Sequence, residues 1–154
     1  MSLSSLKIRN TSGWTMFIFG VLAFALGLVG LVSPETVLKL LGFEIIERTH
    51  RIAGDYTLTF MAASSMASFN IGIYYVLAAL NDLKKFYLWT VPFRVVTFTV
   101  FSILVVTGTA PGKFFGVGAW ELTGAVATSL ALYFESKKGK QEGKIGGWDA
   151  LKVD

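Results

Sequence analysis

Two oppositely charged residues, Arg94 and Glu121, lie inside long apolar segments of this 154-residue chain. Arg94 is eight residues into its segment, and Glu121 is seven residues into the next segment, which is entered from the other side. At the rise of an α-helix these positions are about 12 Å and about 10 Å deep, so in an apolar layer about 30 Å thick their Cα atoms differ in depth by about 8 Å. A charge at that depth needs a partner. We consider a buried Arg94–Glu121 ion pair, an Arg94 that extends towards the nearer headgroups, and an Arg94 that binds a polar ligand.

A second group of charged residues lies around the start of the segment that begins near residue 52. Its members are Glu44, Glu47, Arg48, His50, Arg51 and Asp55. Arg51 and Asp55 have the i, i+4 spacing of a pair on one helix face. His50 is the single histidine, and its side chain titrates near neutral pH, so that it can serve as an acid or a base. A solvated helix end is the simpler interpretation of the same residues.

These two groups define one candidate ligand pocket. If the helix face that carries Asp55 lines the interior, Asp55 and Glu121 approach the same half of the bundle, and Trp120 lies nearby. Such a polar mouth could receive a lipid, a quinone or another amphiphile. The candidate pocket residues are His50, Asp55, Arg94, Trp120 and Glu121.

The residue inventory excludes several kinds of site. The chain has no cysteine, which rules out disulfides, iron–sulfur ligation and thiolate zinc sites, and its single histidine rules out internal bis-histidine haem ligation. A haem or chlorophyll bound through His50 alone, or shared with another chain, stays open. No Gly-rich phosphate loop is present, and we assign no catalytic residue. We expect no metal site, no cofactor bound by this chain alone and no nucleic-acid partner.

Four apolar segments must position these residues. Only 16% of the residues are charged, against about a quarter in soluble domains. Segments 10–34, 56–81 and 95–112 contain no Asp, Glu, Lys, Arg or His, and segment 114–134 contains only Glu121. Uncharged apolar runs of about 18 residues or more are typical of transmembrane helices. We predict an all-α polytopic membrane protein, an antiparallel bundle of four spans at about 14–32, 52–80, 86–108 and 114–134.

The links between these spans are short. The stretch "PETVLKLLG" has a proline suited to a first helical position and a glycine suited to a stop, which predicts a short interfacial helix between spans one and two. We divide the chain into a short basic segment (1–13), the transmembrane domain (14–135) and a polar basic tail (136–154). We expect the tail to be extended or disordered unless a partner orders it.

Small residues recur at helical spacing in the first span. Gly20, Ala23, Gly27 and Gly30 lie on one face. Small residues let another helix approach closely in lipid. We expect this face to pack against a helix of the same chain, with a dimer face as the alternative.

The distribution of positive charge predicts an orientation. Four spans place both termini on one side, which then holds nine Lys and Arg residues: Lys7, Arg9, Lys84, Lys85, Lys137, Lys138, Lys140, Lys144 and Lys152. The opposite side holds four, Lys39, Arg48, Arg51 and Lys113. Because positive charge accumulates on the cytoplasmic side, we expect both termini in the cytoplasm or its organellar equivalent.

The overall pattern resembles the small four-helix membrane proteins called DoxX-like. The likeness covers residues 14–135 and depends on a Gly-rich first span, "RIAGDYTLTFMAA", "VPFR" and "GVGAWELTGAVATSLAL". The resemblance implies the four-helix fold and implies no agreed reaction. For the function, we favour a non-catalytic accessory subunit of a larger membrane complex, which could be an energy-transducing one. Its expected partners are membrane lipids and other membrane protein subunits. The alternative is a small membrane enzyme or a lipid- or quinone-binding protein that uses the candidate pocket.

Overall fold

The chain forms five α-helices and two short 3₁₀ turns in a computed structural model that describes residues 7–149, with side chains described through residue 139. No strand occurs within 7–149. Four helices are long and apolar enough to cross a membrane, and the fifth, α2, is the short helix between the first two. The all-α prediction with four long apolar helices is therefore confirmed. The helices are α1 (Thr11–Val32), α2 (Pro34–Leu40), α3 (Thr57–Leu80), α4 (Lys84–Val106) and α5 (Phe115–Asp149).

Helices α1 and α3 form the closest pair, because glycines on both remove side chains from the interface. A Cβ added at Gly27 would lie 2.5 Å from the backbone nitrogen of Phe69, and one added at Gly72 would lie 2.7 Å from the carbonyl oxygen of Gly20. The hydroxyl of Ser68 donates to the carbonyl of Ala23 across the same interface, at 3.0 Å. The small-residue face of the first span thus packs inside the chain, as predicted.

The four long helices are arranged in the order α3–α1–α5–α4. Helix α1 contacts α5, where the hydroxyls of Thr15 and Thr128 share a hydrogen bond at 3.0 Å, and α5 packs along α4. Helices α3 and α4 are joined by a short turn but do not pack along their length. Successive long helices run in alternating directions along the chain, so the two helices of each packed pair are antiparallel.

The second span begins later than predicted. Residues 51–56 are not helical, and α3 starts at Thr57 instead of residue 52. Gly54 has a φ of +93°, a conformation that breaks a helix and favours glycine. The carboxylate of Asp55 then accepts the backbone N–H of Thr57 at 2.9 Å, which satisfies one of the free donors at the helix start.

The tail also differs from the prediction. Helix α5 continues past the apolar segment to Asp149, so the expectation of an extended or disordered tail is wrong for 136–149, and 150–154 lie outside the described residues. The added turns extend a helix that is already nucleated, so each further residue adds one backbone hydrogen bond, even though four of residues 136–149 are glycines.

Candidate functional site

Arg94 occupies an aromatic cage at the centre of the bundle. The residue is 2% exposed, and its guanidinium carbon lies 4.3 Å from the ring centroid of Phe19 on α1 and 4.9 Å from that of Tyr75 on α3. The Phe19 ring stacks in turn on Trp120 of α5, with centroids 4.2 Å apart. Gly124 makes room for this arrangement, because an added Cβ there would lie 2.6 Å from the Phe19 ring. The cage therefore brings together all four long helices.

Glu121 is the acidic neighbour of the caged cation. Its Oε2 lies 3.6 Å from Arg94 Nε, a distance that permits an ion pair but exceeds that of a hydrogen bond. The Glu121 side chain is 27% exposed, whereas that of Arg94 is 3% exposed. Within the described side chains none of the three guanidinium nitrogens of Arg94 has a hydrogen-bond partner. Arg94 thus points into the bundle and is held by charge and by ring faces.

His50 and Asp55 find their contacts elsewhere, in the loop before α3. His50 is exposed, and its Nδ1 lies 3.5 Å from a carboxylate oxygen of Glu47. Asp55 accepts from Arg51 Nη1 at 2.6 Å and from the Thr57 hydroxyl at 2.5 Å. The Arg51–Asp55 pair exists as predicted, but it lies in a loop and not on a helix face. Of the candidate pocket residues, the structure brings Arg94, Glu121 and Trp120 together and gives His50 and Asp55 other partners.

Hydrogen bonds in this loop favour the ionised form of two carboxyl groups. The hydroxyl and amide of Thr57, together with Arg51, hold the pKa of Asp55 below its usual value. The side chain of Arg48 binds Glu35 on α2 through two hydrogen bonds, at 2.6 and 3.2 Å, and lowers the pKa of Glu35 in the same way. These contacts connect the loop to α2 and to the start of α3, so their role is structural.

An apolar cavity adjoins the cage on the side of Trp120. It measures about 290 Å³ and lies between α1, α2 and the start of α5. Its walls are aliphatic apart from one glycine and the tryptophan, which suits a hydrocarbon chain more than a polar group. The lining residues are Leu22, Leu26, Leu40, Leu41, Gly116, Val117 and Trp120.

The opposite end of the bundle holds a polar network that sequence analysis did not single out. Asn10 caps α1 with its side-chain oxygen, and its amide nitrogen donates to Asp82 at 2.6 Å. The backbone N–H and the hydroxyl of Ser12 donate to Glu135, at 2.7 and 2.9 Å. Lys84 Nζ lies 3.4 Å from the same carboxylate. An asparagine directly before an apolar helix is an N-cap signal, but the pairing of Ser12 with Glu135 across 123 positions has no local signal.

A metal centre would need several ligands in one place. Among the residues that the structure describes, no three His, Asp or Glu side chains are grouped closely enough to hold a metal ion. The carboxylates of Glu35, Asp55, Glu121 and Glu135 are instead paired with Arg, Lys, Ser or Thr side chains.

Comparison with known proteins adds no family. No family model, no curated protein and no solved structure matches this chain. The resemblance to DoxX-like proteins stays a prediction.

Proposed function

We propose that this chain is a membrane-embedded, non-catalytic subunit of a larger membrane protein complex, with both termini on the cytoplasmic or equivalent inner side. Large apolar side chains cover the outside of its long helices, and on α4 Phe93 is 72% exposed and Val106 is 87% exposed. Surfaces of this kind suit lipid or neighbouring helices and not water.

The observation that carries the proposal is the amide of Asn70, halfway along α3. Asn70 is 13 residues after the start of the helix and ten before its end. Because each residue of an α-helix is rotated by about 100° around the helix axis, Asn70 lies about 140° around α3 from Ser65 and about 160° from Gly72. Ser65 and Gly72 both face α1. Its side chain is partly exposed and has no hydrogen-bond partner among the described residues. A polar amide therefore faces outwards at the depth where the surroundings are most apolar.

A partner helix would satisfy this amide, whereas hydrocarbon has no group that could do so. Ala63 and Ala67 lie on the same face as Asn70 and are exposed, so a second helix could approach α3 closely there. Hydrogen bonds between helices through such side chains contribute about 1–2 kcal/mol in model peptides. The α3 face formed by Ala63, Ala67 and Asn70 is therefore our candidate subunit interface.

The basic tail does not support the proposal. Helix α5 is continuous through residue 149 in the isolated chain, so this segment needs no partner to become ordered. The candidate interface on α3 is independent of that tail.

Purification of the untagged native assembly in a mild detergent tests the proposal. We expect the chain to elute with stoichiometric partner subunits, identified by mass spectrometry of the peak, and Asn70→Leu to weaken that association. Thr97→Val is the matched control, because the Thr97 hydroxyl already donates to the Phe93 carbonyl within α4. Elution of the wild-type chain alone, or only with copies of itself, would contradict the proposal.

A second candidate function is the binding of an amphiphile. It is favoured by the guanidinium of Arg94, whose nitrogens lack hydrogen bonds beside the partly exposed Glu121 and near the cavity that Trp120 lines. Extraction of lipids and quinones from the purified peak tests it. We expect one retained amphiphile per chain, lost in Glu121→Gln and kept in Lys113→Gln. Equal retention by both variants would contradict this second function.

A further inference from the structure

A groove with charge at one end lies between α4 and α5, at the same end of the bundle as the N-terminus of α1. It measures about 490 Å³, within the range of about 300–1,000 Å³ that is usual for ligand sites. Helix α4 contributes its first turn and α5 contributes about two turns, some 10 Å of its length. The lining residues are Lys84, Lys85, Leu88, Ser129, Leu132, Tyr133 and Ser136.

The chemistry of the groove changes along its length. Lys84 and Lys85 lie at the mouth, and the aliphatic side chains of Leu88 and Leu132 follow further along the helices. The hydroxyl of Ser136 donates to the Tyr133 carbonyl within α5. The two ammonium groups are therefore the main positively charged groups of the groove, and the deeper walls are apolar.

Positive charges outnumber negative charges around the mouth of the groove. Lys84 is held in place by Glu135, while Lys85 is exposed and has no ion-pair partner among the described side chains. A third ammonium group, that of Lys137, lies 4.7 Å from the Tyr133 ring at the rim. Three ammonium groups against the two carboxylates at this end of the bundle, those of Glu135 and Asp82, leave a net positive charge, which favours an anion.

We propose that this groove binds one anionic phospholipid of the inner leaflet, with its phosphate between Lys84 and Lys85 and an acyl chain along Leu88 and Leu132. A glycerophospholipid has the same order of groups as the groove, an anion at the interface followed by hydrocarbon. Leu88 is 60% exposed, so the apolar part of the groove opens sideways to the surroundings of the bundle. The inference depends on the membrane insertion in the proposed function, but not on any partner subunit.

Native mass spectrometry of the purified, delipidated full chain tests this site. The chain is offered equal amounts of dioleoyl phosphatidylglycerol and dioleoyl phosphatidylcholine. We expect the wild type to retain one phosphatidylglycerol in preference, and the double variant Lys84→Gln/Lys85→Gln to lose at least tenfold of that preference. The matched control is Lys39→Gln/Lys113→Gln, which removes two exposed lysines from the opposite end.

Three results would overturn the proposal: no preference in the wild type, an unchanged preference in the groove variant, or an equal loss in the control. If loss of the Lys84–Glu135 pair prevents folding of the double variant, Lys85→Gln alone serves the same purpose, with an expected loss of several-fold. A wild-type chain that purifies without partners but keeps its preference for phosphatidylglycerol would refute the proposed subunit function and leave this site standing.

Discussion

At the scale of single residues, Arg94 shows how a cation can be accommodated in an apolar interior without hydrogen bonds. Ring faces replace water, since each guanidinium–aromatic contact contributes up to about 2 kcal/mol when it is desolvated. Phe19 and Tyr75 supply two such faces from two helices, and Glu121 supplies a countercharge from a third. Arg94 is therefore a central cross-link of the bundle, and its environment depends on all of these groups.

Removal of the countercharge alone should lower the free energy of unfolding more than removal of both charges. Glu121→Gln leaves the Arg94 cation unpaired, and we expect the free energy of unfolding to fall by about 1–3 kcal/mol. In Arg94→Met/Glu121→Gln a flexible apolar side chain occupies the space between the rings, so we expect part of that loss to be recovered. Denaturant unfolding in detergent, followed by tryptophan fluorescence, measures both. A double variant less stable than Glu121→Gln alone would contradict this account of the cage.

At the scale of helices, the α1–α3 interface depends on glycines, where the absence of a side chain lets the two helices approach closely. Gly72→Ala would place a Cβ 2.7 Å from the carbonyl oxygen of Gly20, and Gly116→Ala would place one in open space. We expect Gly72→Ala to lower the free energy of unfolding by about 1–3 kcal/mol through overpacking. Gly116→Ala should leave it unchanged or raise it, because alanine is the better helix former. Equal thermal stability of the two variants would show that α1 and α3 are not in close contact.

The start of α3 should respond to acid. The pKa of Asp55 is lowered in the folded chain, so its ionised form stabilises the fold above the ordinary value of about 3.9. That stabilisation is lost as the pH falls from this ordinary value towards and through the lower pKa that Asp55 has in the folded chain. We expect the unfolding temperature to decline on acidification from pH 5 to pH 3, and to decline less in Asp55→Asn. The control is Glu44→Gln, on the same loop and exposed, in which the full decline should persist.

Helix existence could be predicted from this sequence better than helix boundaries. Long uncharged runs locate the four long helices, because apolar composition alone is enough to identify a helix of this kind. The start of α3 depends on Gly54 and on the cap formed by Asp55, a turn that hydropathy does not register. The extension of α5 beyond residue 135 continues a helix that is already nucleated, and charge content alone does not register this.

At the scale of the whole molecule, the sequence predicted the candidate pocket only for residues whose depth within a predicted span could be estimated. The predicted depths of Arg94 and Glu121 on neighbouring spans differ by about 8 Å, a gap that two long side chains can close, and the two side chains are neighbours in the structure. The grouping of Asp55 with Glu121 assumed that the helix face carrying Asp55 lines the interior. His50 and Asp55 lie instead in the loop before Thr57, where they pair with Glu47 and Arg51. The link between Ser12 and Glu135 depends on the packing of the first and last helices, which no local pattern encodes.

The orientation of the four helices gives the final prediction, and the chain suits its test because it has no cysteine of its own. Single cysteines at Thr49, Thr109, Asn81 and Ser136 would all be exposed. Alternating helices place Thr49→Cys and Thr109→Cys at one end and Asn81→Cys and Ser136→Cys at the other. Since the second end has the excess of Lys and Arg, it should face the cytoplasm. In intact cells a membrane-impermeant maleimide should label the first pair only, and the second pair should react after permeabilisation. The reverse pattern would contradict the orientation but keep the four spans, whereas labelling of all four from one side would contradict the four spans themselves.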